Sequence, residues 1–172
     1  TTLFRSENVI KPHNLAAVAR TSDAVGALDI HAITPRKSIK LTQMSAGGIK
    51  KWITVHTHAD TGSGLEYLKQ QGLQIVATDL SAEAKDYREI DYTKPTAILV
   101  GEELEGISEE ALNLADVRVT IPMVGLVQSL NVSVAAALFL YEAYHQRNAA
   151  GMNDERRIDD ELYQRLLFEW CH

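Results

Sequence analysis

The succession of apolar segments predicts an α/β fold: a mostly parallel sheet flanked by helices on both faces. Three observations carry that expectation. Short strand-like runs alternate with longer segments of helical periodicity along most of the chain. Thr96 to Val100 (TAILV) is nearly continuously apolar, as a strand covered on both faces should be. Gly26 and Gly72 each fall where a helical segment must stop before the next strand.

Taken in order, Leu3 to Val9 reads as a first strand of weak alternation. His13 to Val25 reads as a helix, with Leu15, Val18, Ala19, Ala24 and Val25 near helical spacing and Gly26 as its stop. Asp29 to Thr34 is a short strand. Pro35 to Lys51 is polar, basic and broken by Gly47-Gly48, which predicts a loop with a short helix near Thr42 to Ala46. Trp52 to Val55 is a strand, followed by a helix from about Ser63 to Gln71 that Gly72 ends. Gln74 to Asp79 and Thr96 to Val100 are strands. Ser108 caps a helix through Ala115, with Glu109 and Glu110 favourably placed at its positive end. Val117 to Ile121 is the last strand.

The segment that organises the rest follows: Ile121-Pro122-Met123, a loop around Gly125, then a helix from Leu130 to Arg147. Ser129 can cap that helix. Val132, Val134, Ala135, Ala136, Ala137, Leu138 and Leu140 make it apolar on several faces, so burial nearly all round is expected. Its first turn nonetheless carries Ser129, Asn131 and Ser133 beside unpaired backbone N–H groups. Asn148 to Asp154 then links to an amphipathic helix, Asp159 to Phe168. The expected division is a main domain over residues 1–150 and a C-terminal helical extension over 151–172, with the chain trimmed at its ends.

Composition narrows the class. The chain has 172 residues, enough for one domain with a sizeable core. No apolar run approaches the roughly 18–20 residues that span a bilayer, so no membrane is expected. The lone Cys171 cannot form an internal disulfide, which favours a reducing cytoplasm. Net charge is −6, yet residues 1–51 hold eight Lys and Arg against three acids, so the remainder is strongly acidic. A local basic face can bind phosphates on a molecule that is acidic overall.

In parallel sheets ligands bind at the carboxyl ends of strands, so the loops after Asp79, Val100 and Ile121 matter most. None carries G-x-G-x-x-G or a P-loop. Glu103 lies in a loop framed by Gly101 and Gly106 after the most apolar strand, a ligand-loop pattern, although an acidic surface loop would look the same. Asn14 and Arg20 sit on the first helix, where Arg20 could equally pair with Asp23 on a solvated face. His56 and His58 alternate on a strand but lack a third ligand, so no metal is expected. Trp52 and Tyr92 read as packing residues.

Three motifs together carry a resemblance. They are Asn14-x5-Arg20-Thr21-x-Asp23-Ala24-x-Gly26, then Leu99-Val100-Gly101-x-Glu103-x-x-Gly106-Ile107, then Ile121-Pro122-Met123-x-Gly125-x3-Ser129-Leu130-Asn131-Val132-Ser133-Val134-Ala135. The chain resembles the SPOUT class of RNA methyltransferases, and within it the TrmH-type tRNA guanosine-18 2′-O-methyltransferases. The third motif is the most specific. The resemblance runs from about Val9 to the end of the long helix, with a TrmH-like segment beyond it.

That resemblance implies several things. The fold would be an α/β SPOUT fold whose C-terminal part is threaded into a deep trefoil knot, an arrangement nearly absent elsewhere. The protein would be a homodimer acting on tRNA, with S-adenosylmethionine as methyl donor held at Thr78, Leu80, Gly101, Ile121, Met123 and Leu130. Catalytic or RNA-positioning roles would fall to Arg20, Asn14, Glu103, Ser129 and Asn131. Family members usually carry further terminal helices that grip tRNA. The resemblance offers Arg20 as a general base, but a guanidinium holds its proton far too tightly, so a bidentate phosphate clamp is the easier chemistry. Two other readings share the motifs: a sister enzyme methylating ribosomal RNA or another tRNA ribose, and a non-catalytic RNA-binding module.

Overall fold

The computed structural model describes residues 2–6, 12–33, 53–101, 106–156 and 158–171, with residues 2–6, 12 and 170 described by their backbone. The elements are β1 (Thr2–Ser6), α1 (Pro12–Ala24), β2 (Asp29–Ile33), β3 (Thr54–His58), α2 (Thr61–Gln70), β4 (Gln74–Thr78), β5 (Lys85–Asp86), β6 (Thr96–Val100), α3 (Glu109–Leu114), β7 (Val117–Thr120), α4 (Val132–Ala149) and α5 (Asp160–Cys171). A single-turn 3-10 helix, Tyr87–Glu89, follows β5. The seven described strands join one sheet in the order β3-β2-β1-β6-β4-β7-β5, and every pairing among them is parallel. The expected α/β architecture with a parallel sheet is therefore what the chain forms.

Parallel pairing requires cover on both faces, and β6 shows how the sequence supplies it. Its five residues are all buried. Alternation sends Ile98 and Val100 into a core with Leu15 and Val18 of α1 and Phe139 and Leu140 of α4. Ala97 and Leu99 face the other way, packing with Leu65 and Leu68 of α2 and Ala111 and Leu112 of α3. Two helices cover each face, and β6 and β4 lie in the middle of the sheet.

The helix stops follow the chemistry expected of them. Gly26 adopts φ 74°, its N–H reaches the Asp23 carbonyl at 3.0 Å, and the Ala27 N–H reaches Ser22 at 2.8 Å. Gly72 repeats the arrangement at φ 77° after α2. Both are Schellman closures, which need the left-handed backbone that glycine adopts without strain.

Several expectations need correction. The N-cap of α4 is Asn131 rather than Ser129, its side chain accepting the Ser133 N–H at 2.9 Å. The backbone stays extended two residues further than expected, and Asn caps as well as Ser. Nor is α4 buried all round: Val132, Ala136, Phe139, Leu140 and Ala143 face the core, while Val134, Leu138, Tyr141 and Tyr144 are exposed. One apolar stripe meets the sheet and α1; a second has no cover among the described residues. At α2 the cap is Asp60, accepting the Ser63 N–H at 2.8 Å, so the helix begins earlier than Ser63. β3 runs on through His58, because its polar alternation is that of an edge strand and not of a loop. β1 spans Thr2–Ser6. Residues 7–9 of the expected first strand, Trp52 and the expected short helix at Thr42 to Ala46 lie outside the described residues. β5 and the 3-10 turn were not expected; they form where Asp86 caps the turn by accepting the Arg88 N–H.

Leu65 is fully buried beneath α2. Leu65→Ala should lower unfolding stability by about 2–5 kcal/mol. A urea titration would show it as a lower midpoint with an unchanged slope.

Candidate active site

The carboxyl ends of β4, β6 and β7 open into one cavity of about 540 Å³, within the usual range for a small-molecule site. Thr78, Asp79 and Leu80 follow β4; Gly101, Gly106 and Ile107 follow β6; Ile121 and Met123 follow β7. Gln128, Ser129 and Leu130 close the wall ahead of α4, and Glu109 of α3 stands at its side. The three loops singled out from sequence therefore converge, as strand order in a parallel sheet requires.

One close approach shapes the cavity. A Cβ on Gly101 would lie 2.1 Å from the backbone carbon and oxygen of Gly106 and 2.4 Å from the Ile107 nitrogen. Only a residue without a side chain permits that contact, so the main chain itself forms the wall. Gly106 answers with φ 70°, turning the chain back toward α3.

The loop after β4 is pinned to β7. The Asp79 N–H donates to the Val119 carbonyl at 2.8 Å. The Asp79 carboxylate accepts from the Ser81 hydroxyl at 2.7 Å and the Ser81 N–H at 3.3 Å, with the Arg118 guanidinium 3.7 Å away. Burial pushes this carboxyl up, but the Ser81 and Leu80 hydrogen bonds and the Arg118 charge outweigh it and hold it below its ordinary value. Among the described residues, Asp79 and Glu109 are the charged side chains lining the cavity. Two carboxylates and no lysine or arginine suit a ligand with positive charge far better than a polyphosphate.

The residues marked from sequence separate into groups. Thr78, Leu80, Gly101, Ile121, Met123, Leu130 and Ser129 all line the cavity. Asn131 and Asn14 meet just outside it, the Asn131 amide donating to Asn14 Oδ1 at 3.3 Å across α1 and α4. Asn14 is only 3% exposed. Arg20 is exposed on α1 and does not line the cavity of its own chain, and it forms no pair with Asp23 among the described residues. Glu103 lies outside the described residues. Asp79, Ser81 and Arg118 were not singled out, although Asp79 closes a strand that was; their arrangement depends on β7 lying beside β4, which sequence order hides.

The histidines lie elsewhere. His31 Nδ1 and His58 Nε2 are 2.8 Å apart, and His56 Nε2 is 2.8 Å from Asp29 Oδ1, all on β2 and β3. Among the described residues no group of three or more His, Cys, Asp or Glu is placed to hold a metal ion. Tyr92 is fully buried, its hydroxyl donating to the Tyr87 carbonyl.

Comparison with known proteins gives a consistent result. Residues 3–141 match the SpoU rRNA Methylase family, and residues 145–172 match the SpoU rRNA methylase C-terminal family. The chain is 52% identical to a tRNA (guanosine(18)-2′-O)-methyltransferase of Thermus thermophilus, over 95% of this chain and 84% of that protein. Its fold superposes on the Aquifex aeolicus TrmH/SpoU tRNA modifying enzyme with a TM-score of 0.87 at 40% identity, covering 98% of this chain and 86% of that one. An AdoMet-bound rRNA methyltransferase from Sinorhizobium meliloti matches at TM-score 0.74 and 32% identity, over 84% of this chain and 56% of the other.

The Asp79 arrangement has a pH signature. A carboxyl lowered by folding contributes stability that is present above its unfolded value, about 3.9, and lost as the pH falls below it. Asp79→Asn should therefore differ most from the parent at pH 7, the gap closing as the pH drops below about 3.9. Denaturant unfolding at both pH values measures it; a gap independent of pH would exclude the carboxylate as its origin.

Proposed function

The chain belongs to the SpoU rRNA Methylase family, and from that membership we propose that it methylates the ribose 2′-hydroxyl of guanosine-18 in the D loop of tRNA, using S-adenosylmethionine. The observation that carries this reading is the convergence of the three motif loops on one cavity whose lining charges, among the described residues, are carboxylates. The 52% identity to a guanosine-18 enzyme along nearly the whole chain favours tRNA over ribosomal RNA as the acceptor.

The cavity suits the donor. Its size, the main-chain wall at Gly101 and the absence of cationic lining among the described residues all fit a sulfonium-bearing nucleoside. Thr78, Leu80, Gly101, Ile121, Met123 and Leu130 would hold it, largely through backbone groups. Bound S-adenosylmethionine supplies an already activated methyl group. The protein's tasks are then to align the acceptor oxygen and to manage one proton. Arg20 clamps the RNA phosphate and stabilises the oxygen as it loses its proton to water or phosphate. Ser129 at the cavity wall and Asn131 just outside it orient the ribose, Asn14 supports Asn131 from α1, and a catalytic or RNA-positioning role for Glu103 rests on the motif it occupies.

Arg20 lies outside the wall of its own cavity, so this reading places the working enzyme as a homodimer in which Arg20 of one copy serves the cavity of the other. The exposed apolar stripe of α4 (Val134, Leu138, Tyr141, Tyr144) and the exposed Val124, Leu126 and Val127 support such an interface. β6 lies between β1 and β4, and β7 between β4 and β5, an insertion of later strands among earlier ones that supports a threaded, knotted C-terminal part. Residues 1–150 form the methyltransferase domain and 151–172 its helical extension. No described helix is long and apolar enough to cross a membrane, and an enzyme of tRNA with a lone cysteine belongs in the cytoplasm.

Arg20→Ala should lower methylation by about 10²-fold or more while S-adenosylmethionine binding, measured by calorimetry, stays intact. Mapping methylated nucleotides after incubation with total RNA should find a single D-loop guanosine. A ribosomal site, or none, would overturn the substrate assignment.

A further inference from the structure

Asn131 sits in a hydrogen-bond string whose direction can be read without ambiguity. Its Oδ1 accepts the Ser133 backbone N–H at 2.9 Å and the Ser133 hydroxyl at 2.6 Å. A backbone N–H can only donate, so the amide atom facing it must be the oxygen. The Asn131 nitrogen is thereby turned toward α1, where it meets Asn14 at 3.3 Å. An amide NH2 likewise only donates, so Asn14 must present its oxygen there. The first turn of α4 thus dictates, through two amides, which end of the Asn14 side chain faces which way.

We infer that Ser133 is a positioning residue for the methyl-transfer reaction: it locks the orientation of Asn131 and, through it, the Asn14 amide and the seating of helix α1 against the start of α4. This rests on the function proposed above. α1 is the helix that carries Arg20, while α4 begins where the cavity wall of Ser129 and Leu130 ends. Asn14 and Val18 are both buried on α1, so the helix has little room to reseat once the polar contact is set. The backbone N–H of Ser133 sets which end of the amide faces it, and the Ser133 hydroxyl adds a second bond to the same oxygen that holds the Asn131 side chain in this rotamer. The cap itself needs only the backbone N–H, so the hydroxyl is free to serve orientation rather than helix stability.

Three variants of the full chain separate these roles. Ser133→Ala should keep the melting temperature and the S-adenosylmethionine dissociation constant of the parent while kcat on tRNA falls by about tenfold. Ser133→Thr, which restores a hydroxyl, should recover most of it. Asn131→Asp retains an excellent cap but sets a carboxylate oxygen against Asn14 Oδ1, so kcat should fall further with little change in melting. Side-chain amide signals of Asn14 and Asn131 in nitrogen–proton NMR spectra should shift in Ser133→Ala. Unchanged kcat and amide signals in Ser133→Ala would overturn the inference, as would a loss of activity matched by a loss of melting temperature. Absence of guanosine methylation by the parent protein defeats the functional reading instead, and the amide signals still judge the string.

Discussion

The cavity depends on how closely two pieces of main chain approach. Gly101 directly follows the central strand β6, and its α-carbon abuts the backbone at Gly106 with no room for a methyl group. Because β6 is buried on both faces and flanked by β1 and β4, its end cannot drift to relieve that contact. The rigidity of the sheet is therefore transferred directly to the cavity wall. A binding surface made of backbone groups offers fixed N–H and C=O directions that cost no side-chain ordering when a ligand arrives. The loop after β4 gains its rigidity differently, by tethering Asp79 to β7 through Val119 and Arg118.

Helix α4 joins the two halves of the molecule's chemistry. Its inner stripe, centred on Phe139 and Leu140, is core like any other. Its first turn is polar because it must end an extended loop, and the same Asn131 that satisfies the helix end also reaches α1. On the proposed function, stability and catalysis share one residue there. A loss of activity on changing Asn131 to Ala would therefore be hard to interpret, whereas a change to Asp retains the cap and isolates the cross-helix bond.

Much of this was legible in the sequence because the signals were local. TAILV could be read as a doubly covered strand, Gly26 and Gly72 as helix ends, and the strand-end loops as neighbours at one end of the sheet, since each depends on a few adjacent residues. The cap of α4 was misread because Ser129 and Asn131 are equally good caps two residues apart, and only the path of the loop from β7 decides between them. The exposed stripe of α4 was misread for a different reason. Apolar periodicity states that a face wants cover; it does not say that the cover lies in the same chain. The Asp79–Arg118 contact and the Asn14–Asn131 contact were invisible because they join segments 39 and 117 positions apart, across a strand order that later strands rearrange.

The distribution of charge follows from the same chemistry. On the proposed function the protein must hold a cationic donor and a polyanionic acceptor at once, and no single field favours both. The cavity lining carries carboxylates, whereas the N-terminal 51 residues hold eight of the seventeen Lys and Arg and three of the twenty-three acids. The carboxylates that line the cavity act on the donor at short range. Phosphates, by contrast, are drawn by basic groups such as the exposed Arg20, which does not line the cavity of its own chain. An overall charge of −6 is then no obstacle to binding RNA, because a phosphate senses the few charges nearest to it and not the sum over the molecule. Raising the salt should consequently weaken RNA affinity much more than donor affinity, since a polyanion releases many counterions on binding and a singly charged donor few.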